Sequence, residues 1–234
     1  MSTFVTRRAA FGIAATAVLA SLTACASDIR PLEDPSVVDP MRPYKGELKF
    51  NSYESRGTYV PATSSKKAEN PPKPIPPAKM RAKTTEGMYA AIGFWVASFN
   101  YLILSGDIEP FMAVDINRND IYKAEAFSKL YKSNTGWMYG ADAPVSANLT
   151  EDAPEQVNEH QYRWRATSRY HKKTTIHYTD GRELPMTSLD GNTGDYDFFF
   201  ALKYQDGAWT VWNERVKLAP ISPTSSASSS GASV

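Results

Sequence analysis

The feature of this sequence that most limits its fold is a change in the spacing of apolar residues near Gly136. Before Gly136 apolar residues recur every three or four positions, and after it they alternate with other residues. The first spacing is typical of α-helices and the second of half-buried β-strands. Helices followed by long antiparallel strands predict an α+β fold, in which the helices pack against one face of a curved antiparallel sheet.

Three helices are predicted before Gly136. The first has apolar residues at helical spacing, namely Met88, Ile92, Trp95, Phe99 and Leu102. Thr84 or Thr85 can cap its N-terminus, and Gly106-Asp107 is a turn signal that ends it. Shorter apolar segments predict a second helix over 108–114 and a third over 121–131.

The first helix is apolar on its other faces as well, so we expect the rest of the domain to surround it. A membrane span over 88–104 is the competing interpretation. That segment has only 17 residues and contains Ser98 and Asn100. A stable span needs about 20 mostly apolar residues, so the core helix is favoured.

Long strands are predicted after Gly136. Aromatic and small residues alternate with arginines over 162–170, and aromatic residues recur at every second position over 196–204. Gln205-Asp206-Gly207 predicts a hairpin that joins the second strand to a third over 209–218. A shorter segment, 174–178, continues or re-pairs the first strand and precedes an Asp180-Gly181 turn.

The N-terminus has the three parts of an export signal. Arg7 and Arg8 form its positive region, Ala9–Leu22 is its apolar run, and Leu22-Thr23-Ala24-Cys25 follows. This last motif resembles the bacterial lipobox, in which Cys25 would receive a diacylglyceryl group and become the first residue after cleavage. Acyl chains such as palmitate would then tether the protein to the extracytoplasmic face of the cell membrane, because two chains anchor a protein stably.

Two alternatives to this assignment remain open at the level of sequence. One is an ordinary secreted protein in which the cysteine is incidental. The other concerns the export route, since Arg7-Arg8 fits a general secretory signal and also loosely resembles a twin-arginine signal. Cys25 is the only cysteine in the chain. If it carries lipid, the fold has no disulfide and must be stabilised by its packed core.

The sequence divides into four segments. They are a signal peptide (1–24), a lipid-anchored proline-rich linker (25–83), an α+β domain (84–218) and a disordered Ser-rich tail (219–234). The apolar residues of the linker are the part of it that can dock as an extended segment, namely Leu48, Phe50, Tyr53, Tyr59 and Val60.

The charge balance bears on the class of partner. The chain has 26 basic and 25 acidic residues; residues 1–24 hold two arginines and no acid, so the exported chain has 24 basic and 25 acidic residues. A nearly neutral protein lacks the basic excess that nucleic acids attract. We therefore expect no nucleic-acid partner.

Several short motifs between residues 58 and 218 carry a family resemblance. They are Thr58-Tyr59-Val60-Pro61-Ala62-Thr63-Ser64, Asn70-Pro71-Pro72-Lys73-Pro74, Glu86-Gly87, Phe94-Trp95, Asn100-Tyr101, Gly106-Asp107, Gly136-Trp137 and Asp206-Gly207-Ala208-Trp209. Together they resemble a family of uncharacterised actinobacterial lipoproteins that contain a domain of unknown function. The resemblance implies a nuclear transport factor two-like cone fold and supplies no reaction. Many members carry a cysteine pair after the Gly-Asp turn, which this chain lacks.

No motif predicts a metal or a cofactor. Asp115–Asp120 begins like a calcium loop, but Asp120 stands where the loop needs glycine and Ala126 where it needs glutamate. A polar loop in which Asn119 or Asp120 caps the third helix is the better interpretation. The acidic, glycine-rich segment 190–195 is interpreted as a turn.

The remaining polar patterns are also consistent with ordinary surface chemistry. The three histidines, His160, His171 and His177, do not share a metal-ligand spacing. A basic stripe is interpreted as the solvated face of a strand, with an anionic partner as the alternative; it comprises Arg163, Arg165, Arg169, Lys172 and Lys173. No catalytic residue is assigned, and no metal or cofactor is expected.

Aromatic residues of the predicted helix and strands are the candidates for a ligand cavity. They are Trp95, Phe99, Tyr162, Trp164, Phe198, Phe200 and Trp209. A filled core is the favoured alternative, because protein interiors are close-packed.

The sequence therefore favours a non-catalytic binding or interaction module that binds an envelope protein or a small apolar ligand. The alternative is an enzyme such as an isomerase, a dehydratase or a hydrolase that acts in the cavity. An enzyme would need a buried acid or histidine with a shifted pKa. His177 and Asp197 are the candidates, although Asp197 alternates with aromatic residues and is expected to face outward.

Overall fold

A computed structural model describes residues 44–54, 56–189 and 195–215, all of which belong to one compact unit. The predicted signal peptide, Cys25, the linker as far as residue 43 and the tail 219–234 lie outside the described residues. The segment 190–194, which was interpreted as part of a turn, also lies outside them.

The longest helix is α1 (Thr85–Ser105), and its cap and its end are those that the sequence predicts. Thr84 has extended backbone, and its Oγ1 accepts a hydrogen bond from the Gly87 N–H at 3.1 Å. Gly106 follows the helix with φ 76°, and a Cβ there would lie 2.3 Å from the Tyr131 side chain. Both the left-handed backbone and the close contact require glycine.

α1 is the central helix of the domain. Its length and composition would allow it to cross a membrane, but 83% of its most apolar 18-residue window is buried inside the domain. Burial on nearly all sides is the physical reason why apolar residues cover all of its faces. The prediction of a core helix over this segment is confirmed.

Two shorter helices follow, α2 (Glu109–Met112) and α3 (Arg118–Lys132). The cap of α3 differs from the prediction, because the helix begins at Arg118. The Asn117 side chain accepts a hydrogen bond from the Asn119 N–H at 2.9 Å, so Asn117 is the cap instead of Asn119 or Asp120.

α3 is fixed to α1 through polar contacts between the two helices. Ser128 Oγ donates to the Gly106 carbonyl at 2.7 Å. The Tyr131 hydroxyl donates to the Ile103 carbonyl at 2.5 Å and accepts from the Met138 N–H at 2.9 Å. One face of α3 therefore packs against the rest of the domain, and its opposite face is exposed.

The described strands form three sheets in which every pairing is antiparallel. The strands are β1 (Gly46–Glu47), β2 (Tyr53–Glu54), β3 (Lys73–Pro74), β4 (Gly136–Tyr139), β5 (Val145–Leu149), β6 (Glu155–Asn158), β7 (Gln161–Tyr170), β8 (Thr175–Tyr178), β9 (Glu183–Pro185), β10 (Tyr196–Gln205) and β11 (Ala208–Arg215). The largest sheet has the order β1-β5-β7-β10-β11, with β6 also paired to β7. The α+β class is confirmed.

The predicted alternation decides which face of the large sheet is buried. Tyr162 and Trp164 of β7 are buried, whereas Arg165 and Arg169 are exposed or partly exposed on the other face. β10 and β11 form the predicted hairpin through Asp206 and Gly207, whose φ angles are 54° and 77°. Positive φ at two successive positions matches the twist of a tight hairpin.

The segment over 174–178 re-pairs instead of extending β7. Its strand, β8, lies between β4 and β9 in a separate three-stranded sheet. The predicted Asp180-Gly181 turn joins β8 to β9, and Gly181 has φ 89°. The Arg182 N–H donates to Asp180 Oδ1 at 3.1 Å and stabilises this turn.

The proline-rich segment before residue 84 packs on the domain. Tyr44 is buried with its ring 5.6 Å from that of Trp164, and β1 adds to the edge of β5. Phe50 packs against Phe94, and Met80 is buried in the core. These apolar residues occur singly along the chain, so they have no periodicity that distinguishes them from a free linker.

Candidate functional site

A cavity of about 220 Å³ opens at one end of the large sheet, where the sheet faces all three helices. Its walls combine aromatic, acidic and basic side chains. They are Trp95, Phe99, Phe111, Asp120, Lys123, Val145, Ser168, Tyr170, Tyr196, Asp197, Asn213 and Arg215.

The antiparallel register brings the strand residues of this cavity together. Tyr170, near the end of β7, pairs with Val145 at the start of β5, and Ser168 pairs with Tyr196 at the start of β10. Arg215 ends β11 opposite Phe198 of β10. Four strand ends from distant parts of the sequence therefore meet at one end of the sheet, beside the first turn of α3.

Three rings form the apolar part of the cavity. Trp95 and Phe99 are four residues apart on α1, so they lie on the same face of the helix, with ring centroids 5.7 Å apart. Phe111 of α2 lies 5.3 Å from Trp95 and 5.4 Å from Phe99. Phe200 of β10 backs Trp95 with an edge contact at 5.6 Å. Contacts at these separations and tilts are favourable for aromatic rings.

A buried acid, Asp120, provides the polar part of the wall. It is only 8% exposed and lies in the first turn of α3. Its Oδ1 accepts from Asn213 Nδ2 at 2.9 Å, and its Oδ2 accepts from the Asn213 N–H at 3.4 Å. Burial raises its pKa above the usual range, while the Asn213 hydrogen bonds and the charges of Lys123 and Arg215 act in the opposite direction.

A second acid, Asp115, lies directly behind the cavity wall and is 1% exposed. Its Oδ2 accepts from Trp95 Nε1 at 2.5 Å, and its Oδ1 accepts from the Asn117 N–H at 2.7 Å. Burial raises the pKa of Asp115 to about 7, assisted by the nearby Asp120 charge and opposed by the two hydrogen bonds. The indole that faces the cavity is therefore held by a carboxyl group that titrates near neutral pH.

The mouth of the cavity carries both signs of charge. Lys123 and Arg215 lie on one part of it and are exposed. Asp197 also lines it, and its carboxylate is 3.4 Å from the Arg165 guanidinium. The prediction that the Asp197 side chain faces solvent agrees with its half-exposed position, although it also borders the cavity.

The structure divides the predicted cavity residues into two groups. Trp95 and Phe99 line the cavity. The other five do not line it and are buried in the hydrophobic core; they are Tyr162, Trp164, Phe198, Phe200 and Trp209. Their side chains fill the space between the sheet and the helices, so a close-packed core accounts for most of the set.

The other predicted candidates lie away from the cavity. His177 is on β8, with its ring 4.4 Å from that of Trp137 and its Nδ1 3.5 Å from Glu183. The arginines of the basic stripe are paired with acids: Arg163 with Glu155 at 2.7 Å, Arg165 with Asp197, and Arg169 with Asp195. Among the described residues no group of three or more potential metal ligands occurs.

The polar wall of the cavity was not predicted from the sequence. Asp120 has the position expected of a helix cap, and the strand-end residues Ser168, Tyr196 and Asn213 have no shared spacing. A weak signal was present in Asp115 and Asp120, two acids that flank a helix start beside apolar residues. Only the fold shows that both are buried, because the strand that covers Asp120 lies 93 residues further along the chain.

Comparison with known proteins identifies one domain in this chain. Residues 57–215 match the model of a family of unknown function, DUF6318. Comparisons with curated proteins and with solved structures give no significant match. The matched range begins inside the proline-rich segment that packs on the domain, and it ends at Arg215 of the cavity. It covers more than half of the chain, which therefore belongs to the family of unknown function DUF6318.

Proposed function

We propose that this domain is a binding module for a small, partly apolar molecule. The observation that carries the proposal is the cavity at the end of the large sheet. Binding sites for small molecules are typically concave and mostly apolar, with a few polar groups that orient the ligand. The Trp95, Phe99 and Phe111 rings provide the apolar part, and Asp120, Asn213 and Lys123 are the polar groups.

The size and charge of the cavity restrict the ligand. A cavity of about 220 Å³ is smaller than the roughly 300–1,000 Å³ that is usual for drug-sized ligands, so it suits a smaller molecule. The rings favour a flat or branched apolar body. Lys123 and Arg215 at the mouth favour a ligand with an acidic or strongly hydrogen-bond-accepting group that stays near solvent.

We also propose that the module works outside the cytoplasm, tethered to the membrane through a diacylglyceryl group on Cys25. The support is the signal-like N-terminus and its lipobox motif, together with the resemblance to lipoproteins with a nuclear transport factor two-like cone fold. Cys25→Ala should release the protein from the membrane fraction. Retention of this variant in membranes would contradict the anchor and leave the binding proposal intact.

Native mass spectrometry tests the binding proposal. The chain over residues 26–234 retains every described residue, including the segment from Tyr44 that completes the core. We expect a small molecule that co-purifies, or that is captured from a mixture of small organic acids, at one molecule per chain.

Val145→Phe is the variant that separates cavity binding from surface binding. Val145 lines the cavity, and the larger side chain would occupy part of its volume. Val157→Phe on β6 makes the same change outside the cavity and is the control. Loss of binding in Val145→Phe alone, with circular dichroism unchanged, would support the proposal. Equal binding by both variants would contradict it.

An enzyme is the second candidate, because Asp120 meets the requirement for a buried acid with a raised pKa at a cavity. General acid–base catalysis works best with a pKa near the working pH. Asp120→Asn keeps the size of the side chain and removes its charge. If the bound molecule is converted by the native chain and not by Asp120→Asn, the module is an enzyme. If neither converts it, a binding role is favoured.

A further inference from the structure

The exposed surface of α2 and α3 has an unusual concentration of large apolar side chains. Met112 is 49% exposed, Ile116 is 52% exposed and Tyr122 is 74% exposed. These three lie within eleven positions of one another in the sequence. We refer to the surface formed by Met112, Ile116 and the outward side of α3 as the α2–α3 face.

The outward side of α3 is defined by how the helix is attached. Ser128 and Tyr131 bond to α1, so the opposite residues point to solvent. At 3.6 residues per turn, Arg118, Tyr122 and Lys129 project within about 40° of one another. Met112 of α2 lines the same surface groove as Glu125, Lys129 and Lys132, so an apolar side chain lies beside two basic residues and one acid.

The charged residues of α3 as a whole are mainly basic, and three of them, Arg118, Lys129 and Lys132, lie on or beside its outward side. α3 contains Arg118, Lys123, Lys129 and Lys132 but only two acids. One of these acids, Asp120, is buried against Asn213, so Glu125 is the only acid that α3 presents to solvent. A chain that is nearly neutral as a whole thus carries a local excess of basic residues beside exposed apolar ones.

Basic side chains around exposed apolar residues are the composition of surfaces that bind anionic lipid bilayers. The apolar groups enter the headgroup region, and each lysine or arginine near an anionic surface adds electrostatic attraction. A protein partner with an acidic surface would meet the same charges, but the interspersed apolar residues and the expected tether favour the bilayer.

The length of chain before the described domain is short enough for such contact. Eighteen residues lie between Cys25 and Tyr44, and the nineteen steps from one to the other, at about 3.3–3.6 Å each, cannot span more than roughly 65 Å. A domain of this size has a radius of gyration of about 15 Å. A domain tethered at Cys25 would therefore stay within a few of its own radii of the bilayer.

We propose that the α2–α3 face rests on the anionic headgroups of the bilayer to which the protein is tethered. The biological setting of this inference depends on the proposed Cys25 anchor, while the affinity of the face for anionic lipid does not.

The test uses the chain over residues 26–234, which contains no cysteine, held on vesicles by an N-terminal histidine tag and a nickel-chelating lipid. Ile116→Cys and Val157→Cys carry the same polarity-sensitive fluorophore. These two positions have nearly equal exposure, 52% and 55%, and only Ile116 lies on the proposed face. The artificial tether makes the result independent of whether Cys25 is acylated.

On vesicles with about 30% phosphatidylglycerol in phosphatidylcholine we expect a blue shift and a rise of about twofold in emission at position 116, and little change at position 157. The response should be lost on phosphatidylcholine alone and in Lys129→Glu/Lys132→Glu. It should remain in Lys172→Glu/Lys173→Glu, which changes the net charge equally on another surface.

Three outcomes would overturn the proposal. They are no response at position 116 on anionic vesicles, an equal response at both positions, and an equal loss in the two charge-reversal variants. Circular dichroism of each variant shows whether the fold is intact. Cys25→Ala in cells addresses the anchor separately, so failure of the face and failure of the anchor are distinguishable.

Discussion

The two ends of the large sheet are both rich in aromatic residues but differ in what their polar atoms contact. At the packed end, Trp209 Nε1 donates to the Ala82 carbonyl at 2.7 Å, and Trp164 Nε1 donates to the Glu151 carbonyl at 2.9 Å. At the cavity end, Trp95 Nε1 donates to a carboxyl group, that of Asp115, and its ring borders an open volume. At the packed end the indole N–H groups donate to backbone carbonyls, and side chains fill the space beside them. At the cavity end the indole N–H donates to a titratable carboxyl group, and the space beside the ring is open.

This difference shows that a set of aromatic residues does not by itself identify a cavity. Tyr162 packs against Trp209, and Trp164 packs against Tyr44 of the proline-rich segment. All four side chains are buried. At the cavity end no comparable segment covers Trp95 and Phe99 among the described residues. Buried acids with raised pKa values are typical of functional sites, because their burial costs stability.

The largest expected cost of a single substitution comes from packing. Phe198→Ala removes a fully buried ring and should lower the free energy of unfolding by about 3–5 kcal/mol. Phe99→Ala should cost less, about 2–3 kcal/mol, because Phe99 already borders a cavity that water can enter. Urea denaturation of both variants measures the difference. Equal costs would mean that the cavity end is as closely packed as the core.

The next contrast is in pH dependence, and it comes from Asp115. Its folded pKa of about 7 lies above its unfolded value near 4, so the folded state binds more protons between these pH values. The stabilising contribution of the protonated group is therefore complete below pH 4 and is lost as the pH rises through 7. Relative to Asp115→Asn, the native chain should lose up to about 1.4 kcal/mol of unfolding free energy per pH unit in this window.

The control for this measurement is a variant at an exposed carboxyl group. Glu125→Gln on the exposed side of α3 should leave the pH dependence unchanged. If Asp115→Asn and the native chain respond to pH in parallel from pH 4 to 7, then Asp115 titrates normally and the cavity end is not electrostatically distinct from the packed end.

The smallest and sharpest contrast uses the same substitution at both ends. Trp209→Phe removes a hydrogen bond to a neutral carbonyl and should cost about 1 kcal/mol beyond the lost ring volume at any pH from 5 to 8. Trp95→Phe removes the hydrogen bond that Trp95 donates to Asp115. In the native chain this hydrogen bond lowers the pKa of Asp115. The cost of Trp95→Phe should rise from about 1 kcal/mol at pH 5 to about 2–3 kcal/mol at pH 8, where the carboxylate is charged.

Thermal or urea unfolding of both tryptophan variants at pH 5 and pH 8 provides this comparison. A cost for Trp95→Phe that does not change with pH, or a pH-dependent cost for Trp209→Phe, would remove the distinction between the two ends.

Elements with strong periodicity were predictable from the sequence. The α1 helix has a threonine cap, a continuous apolar pattern and a terminal glycine, and the β10–β11 hairpin has alternation around an Asp-Gly turn. Each of these signals lies within about twenty residues of chain. Local stereochemistry therefore dictates them before any tertiary contact is made.

The site could not be predicted, because it is formed by contacts between residues far apart in the sequence, which no local pattern indicates. Asp120 has the same sequence environment as a solvent-exposed residue in a first helical turn, and Asn213 covers it from the last described strand. Trp95 and Trp164 each belong to a regular apolar pattern, yet only Trp95 borders the cavity. The position of the proline-rich segment was also hidden, because single anchors such as Tyr44 and Met80 have no period.

The most direct test of the binding site uses the indole N–H groups as reporters at both ends. In a two-dimensional ¹⁵N NMR spectrum of the chain over residues 26–234, Trp95→Phe and Trp209→Phe assign the two resonances. We expect a mixture of small aromatic and aliphatic acids to shift the Trp95 resonance and to leave that of Trp209 in place. No shift at Trp95, or an equal shift at both, would contradict a ligand site at the cavity end.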